Sequence, residues 1–434
     1  MRQGINCTNV TRQAKVLIAL LPAIAGTLLL FLFSIPAAAQ WTGLRVQGQE
    51  IVDQNGNNVI LKGFGTGEMY NTEAYMLEWP DGGNGQALWY YGDTRIHETI
   101  TTLTDSNVDQ QFTSQWEANM LTDADVATWA SWGVNSIRFS INYHWLSPQH
   151  GVYLDSGWAK IDNFISLCKK HNIKVILCMH AAPGGQNPEL MSDTPDGAPH
   201  LWTEPTIYQP WTIDLWQAIA QRYANEPAVA GYDLLDEPLL SEKNPVSGGS
   251  TVRAFYLSVT GAIRSVDQNH IIFACGTNWC GSPAGVKAIL PTWDTNMVLV
   301  FHKYWDTNNL ASIQGYLNIR KQNNVPIWNG ETGENTNAWA QGMSSLLEAN
   351  NIGWSWWTIK KVNGAAGNGG NTTQPYVISE PPKYSEVLNY VKTFGSGTPP
   401  SQSDATSIFL TLAANAATSK CTFNSGLITA LFRH

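Results

Sequence analysis

Two glutamates stand at the carboxyl ends of two short apolar segments, where a charged side chain needs a chemical reason. Glu237 comes just after the segment 231–235, and Glu331 comes just after the segment 325–328. Removing a carboxylate from water is costly unless it has a partner or a role. If the two segments converge in space, one carboxyl can act as a general acid and the other as a nucleophile on a glycosidic bond. The sequence therefore predicts a catalytic pair, Glu237 and Glu331.

The elements that must position this pair alternate between apolar strands and segments with helical periodicity. Short, continuous apolar strands separated by helices are typical of a parallel sheet, and eight such units predict a (β/α)8 TIM barrel in the α/β class. The barrel is expected to span residues 40–394. The candidate strands are 60–64, 134–139, 175–179, 231–235, 270–274, 297–301, 325–328 and 353–358.

Three further segments complete the predicted organisation. Asn55-Gly56, between two β-prone runs, predicts an N-terminal β-hairpin. The long insertions 65–121 and 181–210 follow the first and third strands, so we expect them as loops on the catalytic face. An open, doubly wound sheet is the alternative fold, but Gly63-Phe64-Gly65-Thr66-Gly67 lacks the spacing of a phosphate-binding loop.

Polar and aromatic residues also stand at the carboxyl ends of the other candidate strands. In a barrel enzyme these positions carry the reacting and binding groups. An arginine beside the nucleophile would keep its pKa low, and a tyrosine hydroxyl would orient it. The histidines would bind substrate hydroxyls or tune the pKa of the acid. The candidate substrate-binding residues are Arg138, His180, Asp236, His302, Tyr304 and Trp357.

Other residues leave alternatives open. Glu334 lies three positions after Glu331 and is a competing nucleophile, although Gly330 and Gly333 bracket Glu331 more closely. The chain has 19 tryptophans. Most belong in the core, but indole faces also suit sugar rings. Candidate sugar platforms are Trp145, Trp202 and Trp305.

In these motifs the chain resembles glycoside hydrolase family 5, with features of its cellulases and exo-β-1,3-glucanases, in clan A. The resemblance covers roughly residues 44–394. It implies a (β/α)8 barrel, retaining hydrolysis of β-glycosides, Glu237 as acid/base and Glu331 as nucleophile, with no metal and no cofactor. The motifs that carry it are Ile51-Val52-Asp53-Gln54-Asn55-Gly56, Ile137-Arg138-Phe139-Ser140, His180-Ala181-Ala182-Pro183-Gly184-Gly185-Gln186-Asn187, Leu235-Asp236-Glu237-Pro238, Phe301-His302-Lys303-Tyr304, Gly330-Glu331-Thr332-Gly333 and Trp356-Trp357-Thr358.

One position departs from the family pattern. The family has asparagine before the acid/base, where it bonds the substrate 2-hydroxyl, and this chain has Asp236. An ionised aspartate only accepts hydrogen bonds, and its charge next to Glu237 would raise the pKa of one member of the pair. Asp236 is therefore expected to contact substrate and to influence the pH dependence of the reaction.

Composition excludes some functions. The net charge is −9 and charged residues make up 14 % of 434 residues without a basic block, so a nucleic-acid partner is not expected. We expect a monomer that binds β-glucan or another β-linked oligosaccharide, with β-1,3, β-1,4 and β-1,6 linkages all open. A sugar-binding barrel without catalysis and a transglycosylase that uses the same intermediate are the rival functions.

The two ends of the chain look different from the barrel region. Arg12 and Lys15 precede the apolar run 16–35 and the small residues 36–39, which predicts an export signal cleaved after Ala39 and a secreted protein at the cell surface, in the periplasm or outside the cell. An uncleaved membrane anchor is the alternative. Residues 395–403 have linker composition, and 404–434 are expected to form a short helical extension.

The cysteines give weaker signals. Cys275 and Cys280 could pair across four residues, and no C-x-x-C pair supports a zinc or redox site. Cys168 and Cys178 lie in apolar patterns, so we expect them as buried free thiols.

Overall fold

The structure, a computed structural model, describes residues 42–80, 90–194, 196–241, 243–362 and 373–433. Within these ranges eight parallel strands close into a barrel, in which β10 pairs with both β9 and β3. The predicted (β/α)8 barrel is confirmed. The barrel strands are β3 (Lys62–Gly65), β4 (Ser136–Asn142), β5 (Lys174–Ala181), β6 (Val229–Asp233), β7 (Ile271–Cys275), β8 (Met297–Tyr304), β9 (Ile327–Gly333) and β10 (Gly353–Trp357).

Helices follow the strands and cover the outside of the barrel. Their apolar faces pack on the sheet, which explains the helical periodicity of the segments between the strands. The helices are α1 (Gly67–Tyr70), α2 (Asp93–Leu103), α3 (Ser106–Met120), α4 (Asp123–Trp132), α5 (Asp155–Lys170), α6 (His200–Thr203), α7 (Pro205–Tyr223), α8 (Gly249–Val266), α9 (Pro283–Ala288), α10 (Leu310–Asn323), α11 (Asn337–Ala349), α12 (Tyr384–Val391), α13 (Gln402–Asn415) and α14 (Ser425–Phe432).

Side chains of the barrel strands alternate between two buried layers. Val298 and Val300 of β8 belong to one apolar cluster, which also holds Cys275 and Trp328, whereas Leu299 belongs to a second, larger cluster. The alternation is the two-residue period of a strand, and both faces are apolar because helices cover one and the barrel interior fills the other.

Several strand ends differ from the sequence prediction. Strand β9 continues to Gly333, and β8 continues to Tyr304, several residues beyond the predicted ends. Glu331 and His302 therefore lie inside their strands, where ladder hydrogen bonds fix their backbone. The prediction stopped early because polar residues interrupt the apolar run, although at this rim they are still paired.

The N-terminal hairpin is present, but its turn is not the predicted one. Strands β1 (Arg45–Gln47) and β2 (Glu50–Val52) pair across Gly48, which has a φ of 61°. Asn55-Gly56 lies in a second turn, where the Asp53 carboxylate accepts from the amides of Asn55 and Asn57 at 2.8 Å each. After that turn, Asn58 forms an isolated antiparallel bridge with Val52 and not a longer strand. Asn55-Gly56 therefore predicted a turn correctly, but the strand expected after it is reduced to this bridge.

The insertion 65–121 is not a plain loop. It contains α1, a short 3₁₀ turn at Ala74–Leu77, and the helices α2 and α3. Asp105 caps α3 by accepting from the amides of Asn107 and Val108. The segment 181–210 likewise holds a 3₁₀ turn, Leu190–Ser192, the short helix α6 and the start of α7. Both predicted loops are thus partly helical.

The C-terminal segment packs on the rest of the molecule. Helix α13 begins at Gln402, within the predicted linker, and packs against α2 and α3. Helix α14 packs against α11, and β13 (Thr422–Phe423) joins β11 (Lys360–Val362) and β12 (Tyr376–Ile378) in a small sheet. Residues 41–434 form one compact unit by their contacts.

Among the described residues, Cys275 and Cys280 form a disulfide with a Cα–Cα distance of 5.6 Å. Cys168 and Cys178 are free and buried, as predicted. In the same ranges, the helices are too short or too polar to cross a bilayer. The predicted export signal 1–39 and its cleavage site lie outside the described residues.

Candidate active site

A cavity of about 700 Å³ opens at the carboxyl ends of the barrel strands. It brings together Glu237 and Glu331 with five of the six predicted binding residues, and the sixth, Arg138, lies directly beneath them. The described residues that line it include Glu73, Tyr75, His180, Glu189, Asp236, Glu237, Trp279, His302, Tyr304, Trp305, Glu331, Glu334 and Trp357. A larger cavity of about 870 Å³ lies between α2, α3 and α5; it is lined by Trp145 but by none of the predicted catalytic or substrate-binding residues.

The Glu331 carboxylate is held from two sides. The Tyr304 hydroxyl donates to Oε2 at 3.0 Å, and the Arg138 guanidinium donates to Oε1. These bonds use both oxygens, so they fix the plane of a group that must meet a reacting carbon. Glu331 is 5 % exposed, which leaves it reachable only from the cavity.

Arg138 is fully buried and joins three carboxylates. Besides Glu331, its Nε donates to Asp233 at 2.8 Å and its second terminal nitrogen donates to Asp236 at 2.7 Å. A buried guanidinium survives only when its donors are paired in this way. The three bonds tie β4, β6, β9 and the loop after β6 together at the cavity floor.

Glu237 stands on a different support. His302 Nδ1 lies 2.6 Å from Glu237 Oε1, and Asn187 donates to the Glu237 backbone carbonyl at 3.0 Å. The φ of Glu237 is 40°, a left-handed conformation that residues with a side chain rarely adopt. The surrounding bonds hold this backbone and aim the carboxyl into the cavity.

One imidazole nitrogen links the two glutamates. His302 Nδ1, 2.6 Å from Glu237 Oε1, is also 3.7 Å from Glu331 Oε2. The two carboxylate oxygens therefore lie no farther apart than the sum of these distances. That limit concerns one oxygen of each group, and it falls between the separation of about 5–5.5 Å of retaining carboxyl pairs and that of about 6.5–9.5 Å of inverting pairs.

His180 forms the opposite wall. Its Nε2 lies 3.0 Å from Glu73, and its ring stacks on Trp357 with centroids 4.9 Å apart and an interplanar angle of 12°. Its Nδ1 has no hydrogen-bond partner and points between Asp236, at 3.6 Å, and Glu331, at 3.9 Å. This nitrogen is buried and lies at ion-pair distance from both carboxylates.

The pKa values of the two glutamates are raised by different surroundings. Burial and then the charge of Asp236 raise the pKa of both. Arg138 and His180 oppose this effect at Glu331, whose pKa is raised to about 8, whereas the pKa of Glu237 is raised well above its usual range. Burial lowers the pKa of His302 to about 3, so this ring is neutral. Glu331 thus loses its proton before Glu237.

The competing candidate Glu334 has a different partner. Its carboxylate pairs with Lys361 Nζ at 3.2 Å, and that ammonium lies 5.1 Å from the ring centre of Tyr75. Glu334 lines the same cavity, but the Arg138 and Tyr304 contacts converge on Glu331. The geometry favours Glu331 over Glu334.

Of the three candidate sugar platforms, only Trp305 lines this cavity among the described residues, with 57 % of its surface exposed. Trp145 donates to the Tyr70 carbonyl and packs on that ring, and Trp202 donates to the Gln186 carbonyl. These two indoles hold loops in place, so their prediction as platforms of this cavity was wrong.

Sequence reasoning missed four polar residues of the site. Glu73 and Tyr75 come from the 3₁₀ turn of the first insertion, where no strand register marks an inward position. Asp233 lies inside β6 and was taken as part of an apolar run, and Asn187 acts through its side-chain amide on the Glu237 backbone. The run Gly-Glu-Met-Tyr-Asn-Thr-Glu-Ala-Tyr from Gly67 is dense in polar groups after the first strand, and this was the available signal.

Three side chains in the cavity lie close enough together to be considered as metal ligands, but each of them already bonds another protein group. Ligand atoms of Asp236, His302 and Glu331 lie within 4.8 Å of one another. Each of these residues also has a protein partner: Asp236 accepts from Arg138, His302 contacts Glu237, and Glu331 accepts from Tyr304.

Comparison with known proteins agrees with this geometry. Residues 93–363 match the family described as "Cellulase (glycosyl hydrolase family 5)". A β-xylosidase of Phanerodontia chrysosporium is 28 % identical over 67 % of this chain and 61 % of its own length. A glucan 1,3-beta-glucosidase of Blumeria graminis is 27 % identical over 65 % of this chain and 63 % of its own length. The matched region thus spans about three fifths of these curated relatives.

A solved structure described as an endogalactoceramidase covers 74 % of this chain and 76 % of its own, with 18 % identity and a TM-score of 0.54. This similarity concerns the fold.

Proposed function

Because the chain belongs to glycosyl hydrolase family 5, we propose that it is a secreted, retaining β-glycosidase that hydrolyses β-glucan through a covalent glycosyl-enzyme intermediate. Glu237 is the acid/base and Glu331 is the nucleophile. The observation that carries the proposal is the shared contact of both carboxylates with His302 Nδ1.

In the first step Glu237 donates its proton to the glycosidic oxygen while Glu331 attacks the anomeric carbon. The higher pKa of Glu237 supports its role as the acid. Arg138 lowers the pKa of Glu331, but burial and Asp236 still raise it to about 8, so the pKa is not kept low as predicted. The Arg138 and Tyr304 bonds orient the Glu331 carboxylate. The leaving sugar departs with the proton from Glu237. The remaining sugar is then esterified to Glu331.

In the second step Glu237, now ionised, takes a proton from water as the water attacks the anomeric carbon. The bond to Glu331 breaks and the configuration of the sugar is retained. The shared contact of both carboxylates with one imidazole nitrogen supports this route, because it places them on the same side of the cavity within reach of one anomeric carbon.

β-Glucan is the proposed substrate because the cavity offers carboxylates and imidazoles for hydroxyl groups and indole rings, of which that of Trp305 is exposed, for the sugar rings. Trp305 and Trp357 line it, together with Trp279, whose indole nitrogen donates to Glu189 at 3.0 Å. The relatives named as β-xylosidase and glucan 1,3-beta-glucosidase support a β-linked substrate. Because these two relatives differ in the bond that their names describe, the glycosidic linkage cleaved by this protein is to be determined by experiment.

The test is hydrolysis of β-1,3-, β-1,4- and β-1,6-linked gluco-oligosaccharides and xylo-oligosaccharides, with the anomer of the fresh product followed by NMR. We expect release of reducing ends with retained configuration. Longer products would indicate transglycosylation, and binding without turnover would contradict the proposal.

The nucleophile is tested with Glu331→Ala and Glu334→Ala on an aryl β-glucoside. We expect the first variant to lose at least about a thousandfold in kcat and the second to keep most of it. Full activity in Glu331→Ala would refute the assignment.

Export is tested by mass spectrometry of the secreted protein, which we expect to begin at Gln40.

A further inference from the structure

His302 has one ring nitrogen in the cavity and the other in the barrel interior. Nδ1 contacts Glu237, whereas Nε2 is buried and has no hydrogen-bond partner. His302 follows Val298 and Val300 at two-residue spacing on β8, so its ring continues their inward-facing layer. A Cβ added at Gly330 would lie 3.2 Å from Nε2, so this edge of the ring faces the protein interior.

The Cys275–Cys280 disulfide lies in the same layer. Both residues are fully buried, and a ring nitrogen of His302 lies within 4.8 Å of both sulfurs. The backbone amide of His302 also donates to the Cys280 carbonyl at 3.0 Å. The disulfide therefore lies beside the imidazole that contacts the acid, and Nε2 is the nitrogen of that ring which is buried without a partner.

We propose that the Cys275–Cys280 disulfide keeps thiol donors away from the buried edge of His302, so that the ring proton stays on Nε2 and Nδ1 accepts a hydrogen bond from the protonated Glu237. This inference rests on the proposed role of Glu237. It assigns a function in the reaction to a bond that would otherwise only brace the loop after β7.

The argument is a proton count. A neutral imidazole carries one N–H and one acceptor nitrogen, and a thiol can donate a weak hydrogen bond whereas a disulfide cannot. Beside a disulfide, the ring proton is best placed on Nε2, so Nδ1 is the acceptor and Glu237 keeps its proton. Beside two thiols, an S–H can donate to Nε2, which then releases its own proton to solvent. The proton of Glu237 passes to Nδ1, and Nδ1–H donates to the ionised Glu237 carboxylate.

The other charges near Glu237 and His302 act in the same way whether the cysteine pair is oxidised or reduced. Asp236, Glu331, Glu189 and Glu73 all raise the pKa of Glu237. Around His302, the charge of Asp236 favours the protonated ring, and Arg138 and His180 oppose it. Reduction of the disulfide changes none of these charges, so its effect on Glu237 would pass through the imidazole.

Three forms of the enzyme separate this role from simple bracing. Cys275→Ala with Cys280→Ala removes the cross-link and supplies no donor, so we expect the alkaline limb of the kcat/KM–pH profile to stay where it is. Cys275→Ser with Cys280→Ser places hydroxyl donors beside the ring. We expect that limb to move to lower pH by about one unit, the equivalent of one hydrogen bond.

The third form is the reduced wild-type enzyme. A small dithiol supplies two electrons and two protons, the sulfurs become two thiols, and the reagent closes to a cyclic disulfide. Alkylation and mass spectrometry confirm the state of both cysteines. We expect the same downward shift, and the alanine pair treated with the same dithiol is the matched control.

Nitrogen NMR of the His302 ring gives a readout that does not need activity. We expect the proton on Nε2 in the oxidised wild type and in the alanine pair, and on Nδ1 in the reduced wild type and in the serine pair. An unchanged tautomer and an unchanged alkaline limb on reduction would overturn the proposal, even if the serine pair does not fold. A wild type that hydrolyses no β-glycoside would instead refute the proposed function, while the tautomer would still be measured.

Discussion

Asp236→Asn is the most informative single substitution at this site. Asp236 is almost fully buried, and its charge is the largest electrostatic cause of the raised pKa at both Glu237 and Glu331. Asparagine keeps the size of the side chain and an oxygen for Arg138, which now donates to Asp236 at 2.7 Å. The substitution therefore removes a charge with little change in packing.

The expected shift follows from the geometry around His180. Its Nδ1 lies 3.6 Å from Asp236 and 3.9 Å from Glu331, so the two carboxylates are separated by at most the sum of these distances. For unit charges about 7 Å apart in an effective dielectric constant of about 20, repulsion is about 2.4 kcal/mol, or about 1.7 pKa units. Asp236 also raises the pKa of His180, and loss of positive charge there opposes part of the change. We expect a net fall of about one unit in the pKa of Glu331, and a fall in the pKa of Glu237, which the charge of Asp236 also raises.

The active form needs Glu331 ionised and Glu237 protonated. Because removal of a like charge lowers both pKa values, both limbs of the kcat/KM–pH profile should move to lower pH. The assay is initial rates on an aryl β-glucoside over the full pH range, with thermal unfolding to show that the variant is folded. Glu334→Gln is the matched control, since that carboxylate is already paired with Lys361. A folded Asp236→Asn enzyme with an unmoved profile would refute the electrostatic role of Asp236.

Three other substitutions test separate contacts. Tyr304→Phe removes the hydroxyl that donates to Glu331 at 3.0 Å, and we expect kcat to fall about 10- to 100-fold with an unchanged unfolding temperature; an unchanged kcat would contradict this. Arg138→Lys leaves buried carboxylates without partners, and denaturant unfolding should show a loss of about 3–5 kcal/mol; full stability would show that the clamp is dispensable. Trp305→Ala removes an indole that is 57 % exposed, and we expect KM for oligosaccharides to rise several-fold with kcat and stability retained, whereas an unchanged KM would exclude it as a sugar platform.

The sequence was most informative where the barrel rule applies. Parallel strands bring their carboxyl ends to one rim, so Arg138, His180, His302 and Glu331 could be grouped from positions far apart in the chain. Their bonds were not predictable, because a pairing such as that of Arg138 with Asp233 depends on side-chain directions inside the closed barrel.

Prediction failed where tertiary contacts decide the structure. Glu73 reaches His180 from a 3₁₀ turn in an insertion whose length and composition suggested a loop. Trp145 and Trp202 have the same residue type as Trp305, and only their bonds to backbone carbonyls show that they serve packing. Residue type alone could not separate an indole that packs from one that faces the cavity.

Lys360 links the first insertion, which contributes to the cavity wall, to the C-terminal segment of the chain. Its buried ammonium donates to the carbonyls of Asn119 and Met120 at the end of α3 and of Ala416 just after α13, at 2.9–3.1 Å. One cation thus fastens the end of the first insertion, which also supplies Glu73, to the last stretch of the chain. A protein shortened after residue 394 would lose one acceptor of this fastening and uncover the apolar sides of α2 and α3. The C-terminal segment thus supports the first insertion, and the shape of the cavity wall around Glu73 depends partly on residues that do not line the cavity.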